Sequence, residues 1–353
     1  MLSDTIRVLV PAGVTFLVGI AMTPILTHYL YKYKAWKKSA GKNALDGDVA
    51  HEFNRLHAEN EMRAPRMGGI VVWGSVVCTT FGCAALALLF PHTAITAFNF
   101  LSRSQTWIPL ATLIIGALAG LIDDLLVIRP RGEGLPLSLR LLLVVILSGL
   151  ISLWFFIKLD VHTINMPFSM PLEIGWLIVP FFIALSLGVY ASGVIDGIDG
   201  LSGGVFVSVF AAYAIIAYSQ NQIDLAAFIA SIVGGLLAFL WFNVPPARFY
   251  MSDTGTMALT LTLAVVVFMT DSIGGGVGVA VFPLIGALLV ITVASNVIQV
   301  VSKRWWGIKV FRVAPLHHHF EAIGWPGYKV TMRYWILSIV CAFLGVIVAL
   351  SAL

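Results

Sequence analysis

Long apolar runs dominate the chain, and its polar residues are concentrated in the segments between them. A membrane-spanning helix needs about 20 mostly apolar residues. Ten segments fit this requirement: 7–31, 67–90, 107–128, 137–158, 174–193, 203–219, 225–243, 256–271, 277–301 and 334–353. The runs are continuous rather than alternating, which argues against a transmembrane β-barrel. The pattern predicts an all-α polytopic membrane protein with about ten transmembrane helices in a single domain, residues 1–353.

Composition supports this interpretation. Hydrophobic residues make up 59% of the chain and charged residues 11%, against about 25% charged residues in soluble domains. A soluble fold of this length has too little interior for so much apolar surface. We therefore expect no soluble enzyme, no disordered chain and no nucleic-acid partner. The three cysteines lie in apolar runs, so neither a disulfide nor a cysteine metal site is expected, and no cleavable signal peptide is predicted.

The basic residues predict the orientation of the helices. Of the 21 Lys and Arg residues, only Arg7, Arg103 and Lys158 fall on one side of the predicted membrane. The remaining 18, counting Arg140 at a helix end, fall on the other side, in segments 32–66, 129–140, 194–202, 244–255 and 302–333. Cationic loops remain in the cytoplasm. Both termini are therefore expected outside the cell, on the periplasmic side.

Four polar motifs lie in or beside the predicted cytoplasmic segments. They are Asp123-Asp124, the Asp-Gly loop 196–200, the segment Asn243 to Asp253, and His317 to His319. An ionisable group in a membrane span costs about 2.5–3.5 kcal/mol on insertion scales, so it is a functional candidate. The clustering predicts an active site at the cytoplasmic face.

The acids in these motifs allow both functional and structural interpretations. Adjacent helical residues point about 100° apart, so Asp123 and Asp124 are expected to do different jobs. Alternatively, they form a solvated helix-end pair near Arg129 and Arg131. Asp253, expected just before a helix, suits Mg²⁺ as a hard oxygen ligand or acts as a helix cap.

The remaining two motifs suggest substrate contacts. Asp196 and Asp199 share a face if their turn is helical, whereas a glycine-rich turn with surface acids is the alternative. The three histidines suit phosphate or sugar oxygens as hydrogen-bond donors. A zinc site is disfavoured, because adjacent residues rarely converge on one metal and no cysteine lies nearby.

With these motifs the chain resembles the MraY family, the phospho-N-acetylmuramoyl-pentapeptide-transferases. The similarity runs from residues 63–70, RAPRMGGI, to the last helix, and the segment 314–326, APLHHHFEAIGWP, is its most specific part. Asp123-Asp124 and the motif at 243–255 are shared with the wider superfamily of polyprenyl-phosphate N-acetylhexosamine-1-phosphate transferases.

The resemblance implies that UDP-MurNAc-pentapeptide and undecaprenyl phosphate give lipid I and UMP, with Mg²⁺ as cofactor, at the bacterial cell (inner) membrane. It implies catalytic roles for Asp123, Asp124, Asp253 and His317, with Asp253 as the Mg²⁺ ligand and the Asp pair acting on the lipid phosphate. The residues implied to bind substrate are Arg66, Arg140, Asp196, Gly197, Ile198, Asp199, Asn243, Tyr250, Gln299, His318 and His319. Membrane lipid is a further expected partner. The resemblance leaves open whether the protein forms a homodimer and whether the reaction has one step or two.

Several positions depart from the family pattern. Tyr190 and Gly193 stand where the family usually has Asn, and Val127 stands where it usually has Lys. Arg66 is typical of the hexosamine relatives, and with Arg140 it is a candidate source of replacement charge. The main alternative is therefore a sister transferase using UDP-GlcNAc or another UDP-HexNAc. More remote alternatives are an inactive transferase, a transporter or a non-catalytic lipid-binding protein.

The orientation can be tested by cysteine labelling of intact cells, in a background without Cys78, Cys83 and Cys341. We expect Lys309→Cys to react with a membrane-impermeant thiol reagent only after permeabilisation, because its loop is predicted to be cytoplasmic. Arg103→Cys, on the predicted outer side, is the matched control and should react directly. Direct labelling of Lys309→Cys would contradict the predicted topology.

Overall fold

The computed structural model describes residues 3–38, 64–130 and 132–353, so Arg63 and Arg131 lie outside the described residues. The α-helices are α1 (Asp4–Lys32), α2 (Gly69–Leu89), α3 (Trp107–Val127), α4 (Leu137–Lys158), α5 (Ile178–Ala191), α6 (Leu201–Ser219), α7 (Ile223–Asn243), α8 (Ser252–Ser272), α9 (Gly278–Ile285), α10 (Ala287–Trp306), α11 (Leu316–Ala322) and α12 (Gly327–Ser351). A two-stranded antiparallel hairpin pairs β1 (Thr163–Ile164) with β2 (Leu172–Glu173).

Ten helices within these described ranges are long and apolar enough to cross a membrane. The predicted all-α polytopic fold is therefore confirmed, whereas the orientation of the termini stays a prediction. Several boundaries differ from those expected; α12, for example, begins at Gly327 rather than at residue 334. Two of the differences bear on the architecture and on the site. The predicted span 277–301 is two helices, α9 and α10, which separate at Gly286 after Pro283 has removed a backbone donor.

The second difference concerns α8, which begins at Ser252 rather than at residue 256. Asp253 therefore lies in the first turn of the helix, not before it. The first turn has the polar sequence Ser-Asp-Thr-Gly, so a search for apolar runs does not include it in the helix. Its acid is compatible with a helix start, because the positive end of the helix dipole favours carboxylates there.

Helix α8 is the centre of the bundle. In its most apolar window 94% of the residues are buried, against only 22% to 28% for α1, α4, α10 and α12. The outer helices present exposed apolar side chains such as Leu17 and Leu150, which is the pattern of lipid-facing surfaces. The active-site candidates are thus attached to the most protected helix of the protein.

Glycines allow neighbouring backbones to approach the start of α8. A Cβ atom at Gly120 of α3 would meet the carbonyl oxygen of Asp253, and one at Gly69 of α2 would meet Gly255. Small residues at helix contacts are a common means of close packing in membranes. These contacts bring the ends of α2 and α3 against the first turn of α8.

The opposite end of α8 carries a buried acid that the sequence analysis missed. Asp271 accepts hydrogen bonds from the backbone N–H of Asn165 at 3.0 Å and of Val279 at 3.1 Å. It therefore joins the hairpin segment to the start of α9. This end of the bundle has a structural carboxylate, while the other end gathers the predicted site.

The tight contact at Gly120 generates a stability prediction. Gly120→Ala should lower the unfolding temperature, because the new methyl group would overlap the Asp253 carbonyl and force α3 away from α8. Gly82→Ala in α2 is the matched control, since nothing lies within 4 Å of its added Cβ and alanine favours helix by about 1 kcal/mol. Equal unfolding temperatures of the two detergent-purified variants would contradict the proposed close packing.

Candidate active site at the start of the central helix

Three predicted acids converge where α3 ends and α8 begins. Asp123, Asp124 and Asp253 each place a carboxylate oxygen within 4.8 Å of the others. Asp123 and Asp124 are fully buried, whereas the side chain of Asp253 is 25% exposed. Like charges at this separation repel one another, so the cluster requires compensating cations.

Two arginines provide this compensation. Arg66 contacts Asp124 at 2.9 Å and Asp253 at 3.3 Å, and Arg140 contacts Asp123 at 2.8 Å and Asp253 at 3.5 Å. Asp253 is therefore shared by both guanidinium groups. With all five groups ionised, the cluster carries one net negative charge. Sequence analysis named both arginines as replacement charges, and the structure brings both to the acids.

Asp124 is saturated by hydrogen bonds. Its Oδ1 accepts from Arg66, and its Oδ2 accepts from the hydroxyls of Ser252 and Thr254 and from the backbone N–H of Thr254, at 2.5, 2.6 and 3.0 Å. A carboxylate of α3 thus caps the first turn of α8. This contact fixes the position of Asp253 between the two hydroxyl residues.

Asp123 is bonded differently from its neighbour. Its Oδ1 accepts from Arg140 and from the backbone N–H of Leu135 at 2.6 Å. Its Oδ2 is buried and accepts no hydrogen bond from the residues that the structure describes. The two adjacent acids therefore have different surroundings, and of the two only Asp123 has an open oxygen; their expected difference in function stays a prediction.

These donors fit a divalent metal ion. Mg²⁺ is bound by hard oxygen atoms, with few carboxylates and several oxygens from water or phosphate. The Oδ2 of Asp123 is buried close to the partly exposed carboxyl of Asp253 and accepts from no N–H group of the described residues. The arrangement therefore suits a cation held mainly by these two acids.

The Asp-Gly loop supports the cluster from the next element. Asp196 accepts from the Ser202 hydroxyl at 2.7 Å and from the backbone N–H of Ser252 at 2.8 Å. Burial raises the pKa of the Asp196 carboxyl, although both hydrogen bonds act in the opposite direction. Ser252 has a φ of 55°, which is uncommon for residues other than glycine, and the bonds on both sides hold it there.

Asp199 and Asn243 connect the same loop to the segment before α8. Asp199 accepts from the Ala247 N–H at 3.0 Å, and Asn243 accepts from the Gly200 N–H at 2.9 Å while donating to the Phe249 carbonyl at 2.8 Å. The turn is not helical, because α6 begins only at Leu201. The condition for a shared face of Asp196 and Asp199 is therefore not met.

The histidine segment closes over the Asp-Gly loop. His317 and His318 are buried, and His318 Nδ1 lies 2.8 Å from Glu321. A Cβ at Gly197 would lie 2.5 Å from His318 Nε2 and 2.9 Å from His317 Nε2. Only glycine therefore allows the two rings to pack against this loop. This contact explains why glycine stands at position 197, one of the residues predicted to bind substrate.

Three other predicted residues have mainly structural contacts. His319 accepts from the Arg312 N–H at 3.1 Å. Gln299 makes two hydrogen bonds to the backbone of Phe311, at 2.9 and 3.1 Å. The backbone of Tyr250 pairs with Pro65 and Gly68, and this pairing positions Arg66. Substrate contacts of these residues, and of Ile198 beside Gly327, stay predictions.

Sequence analysis missed three residues of the site. Ser252 and Thr254 flank Asp253 and bind Asp124, and the SDT sequence was their only signal. Tyr190 was noted as a departure from the family, yet its side chain interacts with both Asp253 and Arg140. The aromatic hydroxyl therefore reaches the cluster from α5, where an Asn was expected.

Comparisons with known proteins show the family to which the chain is related. The family model described as Glycosyl transferase family 4 matches residues 106–271. The chain is 31% identical over 345 residues to a protein of Listeria monocytogenes, covering 96% of this chain and 97% of the relative. It is 30% identical over 344 residues to a protein of Anoxybacillus flavithermus, with the same coverage.

Both relatives, and one from a Geobacillus strain that is 30% identical over 94% of each chain, carry the name phospho-N-acetylmuramoyl-pentapeptide-transferase. Together with ten apolar helices, this makes the protein a multi-pass enzyme of the bacterial cell membrane. The chain belongs to the phospho-N-acetylmuramoyl-pentapeptide-transferase family.

Proposed function

We propose that the protein transfers phospho-MurNAc-pentapeptide from UDP-MurNAc-pentapeptide to undecaprenyl phosphate, giving lipid I and UMP at the cytoplasmic face. The observation that carries this proposal is the cluster of Asp123, Asp124 and Asp253, with its two arginines and one open carboxylate oxygen. The diphosphate of one substrate and the phosphate of the other both need positive charge where they react. The arginines of this cluster, and a cation bound by its acids, would supply that charge.

The reaction depends on positioning and charge neutralisation more than on covalent help. Mg²⁺ held by Asp253 and Asp123 would supply charge neutralisation to the diphosphate and to the departing UMP. An oxygen of the lipid phosphate attacks the sugar-linked phosphorus, and the bond from that phosphorus to the UMP oxygen breaks. Because the second pKa of a phosphomonoester is near 6, the attacking group is mostly ionised at neutral pH.

Asp123 is the acid suited to a direct role. Its open Oδ2 can accept a residual proton from the lipid phosphate, and Arg140 holds the other oxygen. Since Asp124 is saturated, the rival route through an aspartyl-phosphate would also fall on Asp123. Asp124 instead positions the start of α8, and with it Asp253.

Arg140 compensates for the missing family lysine. A Cβ at Gly134 would lie within 2.9 Å of Asp123 Oδ1, Arg140 Nη2 and a methyl group of Val127. The Nη2 atom of Arg140 therefore lies close to Val127, the residue that stands where the family usually has Lys. A guanidinium binds phosphate oxygens through two parallel donors, so the substitution retains the charge needed at this point.

The geometry also favours the MurNAc-pentapeptide substrate over the sister reaction. Arg66, which resembles the hexosamine relatives, is engaged by Asp124 and Asp253. Its presence is explained by charge balance and needs no different sugar. The histidine segment, the part most specific to the family, rests directly on the Asp-Gly loop.

The substrate assignment predicts a selective assay. Purified protein with Mg²⁺ and undecaprenyl phosphate should form lipid-linked product from UDP-MurNAc-pentapeptide and not from UDP-GlcNAc. A smaller sugar leaves donors meant for the lactyl-peptide arm unpaired, at about 1–3 kcal/mol each. Asp253→Asn is the inactive control, because it retains an oxygen acceptor at the helix start but loses the charge. Product from UDP-GlcNAc alone would promote the sister transferase.

The two adjacent acids should differ when neutralised. Asp123→Asn should reduce turnover at least 100-fold, the usual scale of acid–base help, with a smaller loss of unfolding temperature than Asp124→Asn, because it weakens only the bonds to Arg140 and Leu135. Asp124→Asn should lower the unfolding temperature as well, because a neutral amide weakens bonds to Arg66, Ser252 and Thr254 by about 1–3 kcal/mol in sum. Thermal unfolding and turnover of both variants check this. Equal stability losses would contradict the division of roles.

A further inference from the structure

An open concavity with a mixed apolar and polar lining lies beside the end of α1, apart from the acid cluster. It has a volume of about 450 Å³ and is lined by Pro24, Thr27, His28, Tyr31, Lys32 and Arg248. We call it the α1 groove. None of its residues has a role in the proposed reaction, so its chemistry requires a separate explanation.

The walls of the α1 groove are fixed to each other. The hydroxyl of Tyr31 donates to the backbone carbonyl of Arg248 at 3.0 Å, which joins α1 to the loop between α7 and α8. The backbone N–H of Arg248 donates to the Phe242 carbonyl, and its guanidinium lies 5.8 Å from the Phe242 ring. The groove is therefore a built feature of the fold.

Aromatic residues place the α1 groove at the depth of lipid headgroups. Tyr29 and Tyr33, near the end of α1, are stacked at 6.3 Å and at least half exposed. Trp241, at the end of α7, is 69% exposed. Exposed Trp and Tyr at the ends of membrane spans mark the interface between hydrocarbon and water.

The charge of the α1 groove indicates an anionic ligand. Lys32 and Arg248 are both exposed, and neither forms an ion pair with an acid among the described residues. Tyr31 and His28 add polar groups to the same lining. Below the groove, Ile25 and Leu17 continue along α1 as exposed apolar side chains. A ligand with a charged head and apolar tails matches this sequence of surfaces.

We propose that the α1 groove binds the phosphate headgroup of an anionic membrane phospholipid, with its acyl chains along α1. Arginine forms paired hydrogen bonds to phosphate, and lysine near an anionic leaflet adds attraction. The bound headgroup would neutralise Lys32 and Arg248 together. Because Arg248 precedes Tyr250 and Ser252 in one loop, the lipid would also brace the segment that positions the start of α8.

The test measures lipid retention by the full-length, detergent-purified protein, using native mass spectrometry with phosphatidylglycerol and phosphatidylcholine in competition. The wild type should retain phosphatidylglycerol preferentially. Lys32→Gln with Arg248→Gln should weaken this retention about five-fold for each cation removed. Arg304→Gln with Lys309→Gln is the matched control, because it removes the same charge from exposed positions outside the groove.

Three results would overturn the proposal. One is equal loss of phosphatidylglycerol in the groove and control variants. Another is equally tight binding of soluble glycerol phosphate, which would make the site one for free phosphate. The third is selective loss of undecaprenyl phosphate, which would assign the groove to the lipid substrate. If the double variant unfolds, the single variant Lys32→Gln carries the test, since this exposed helix-end residue has no hydrogen bond to lose among the described residues.

Discussion

The hydrogen bonds between Asp124 and the first turn of α8 are the contact on which the rest of the site depends. One buried carboxylate accepts two hydroxyl donors, one backbone N–H and one guanidinium. Four donors offset the cost of removing this charge from water, which a single partner would not do. The contact sets the distance between α3 and α8, and the separation of Asp123 from Asp253 follows from it.

Much of this architecture could be predicted from the sequence, because membrane spans depend on local composition. Ten apolar runs located the ten spanning helices, although one run proved to be two helices, and their polar ends located the acids of the candidate site. The start of α8 was misplaced, since Ser252 and Asp253 are polar for reasons of tertiary contact. Local hydropathy does not reveal that a carboxylate 128 residues earlier caps this turn.

The site residues were predicted by type more reliably than by role. Asp124 was expected to be catalytic and Asn243 to bind substrate, and those roles stay predictions, while the hydrogen bonds of both residues hold backbone and side chains of the protein itself. The departure at Val127 suggested a missing charge, for which Arg140 was a candidate replacement, and Arg140 of α4 does lie near Val127. Such compensation between elements depends on distances across the bundle, which no spacing along one helix contains.

The burial of α8 has a consequence for how the protein is made. With acids near both ends, this helix has a mean hydropathy of 1.5, lower than all but one of the other spans among the described residues. Its apolar residues alone therefore favour membrane insertion less strongly than those of most other spans. Its close packing against the small-residue face of α3 therefore favours its insertion beside helices that are already present. The contacts that would stabilise this helix in the bilayer are then the same contacts that assemble the active site.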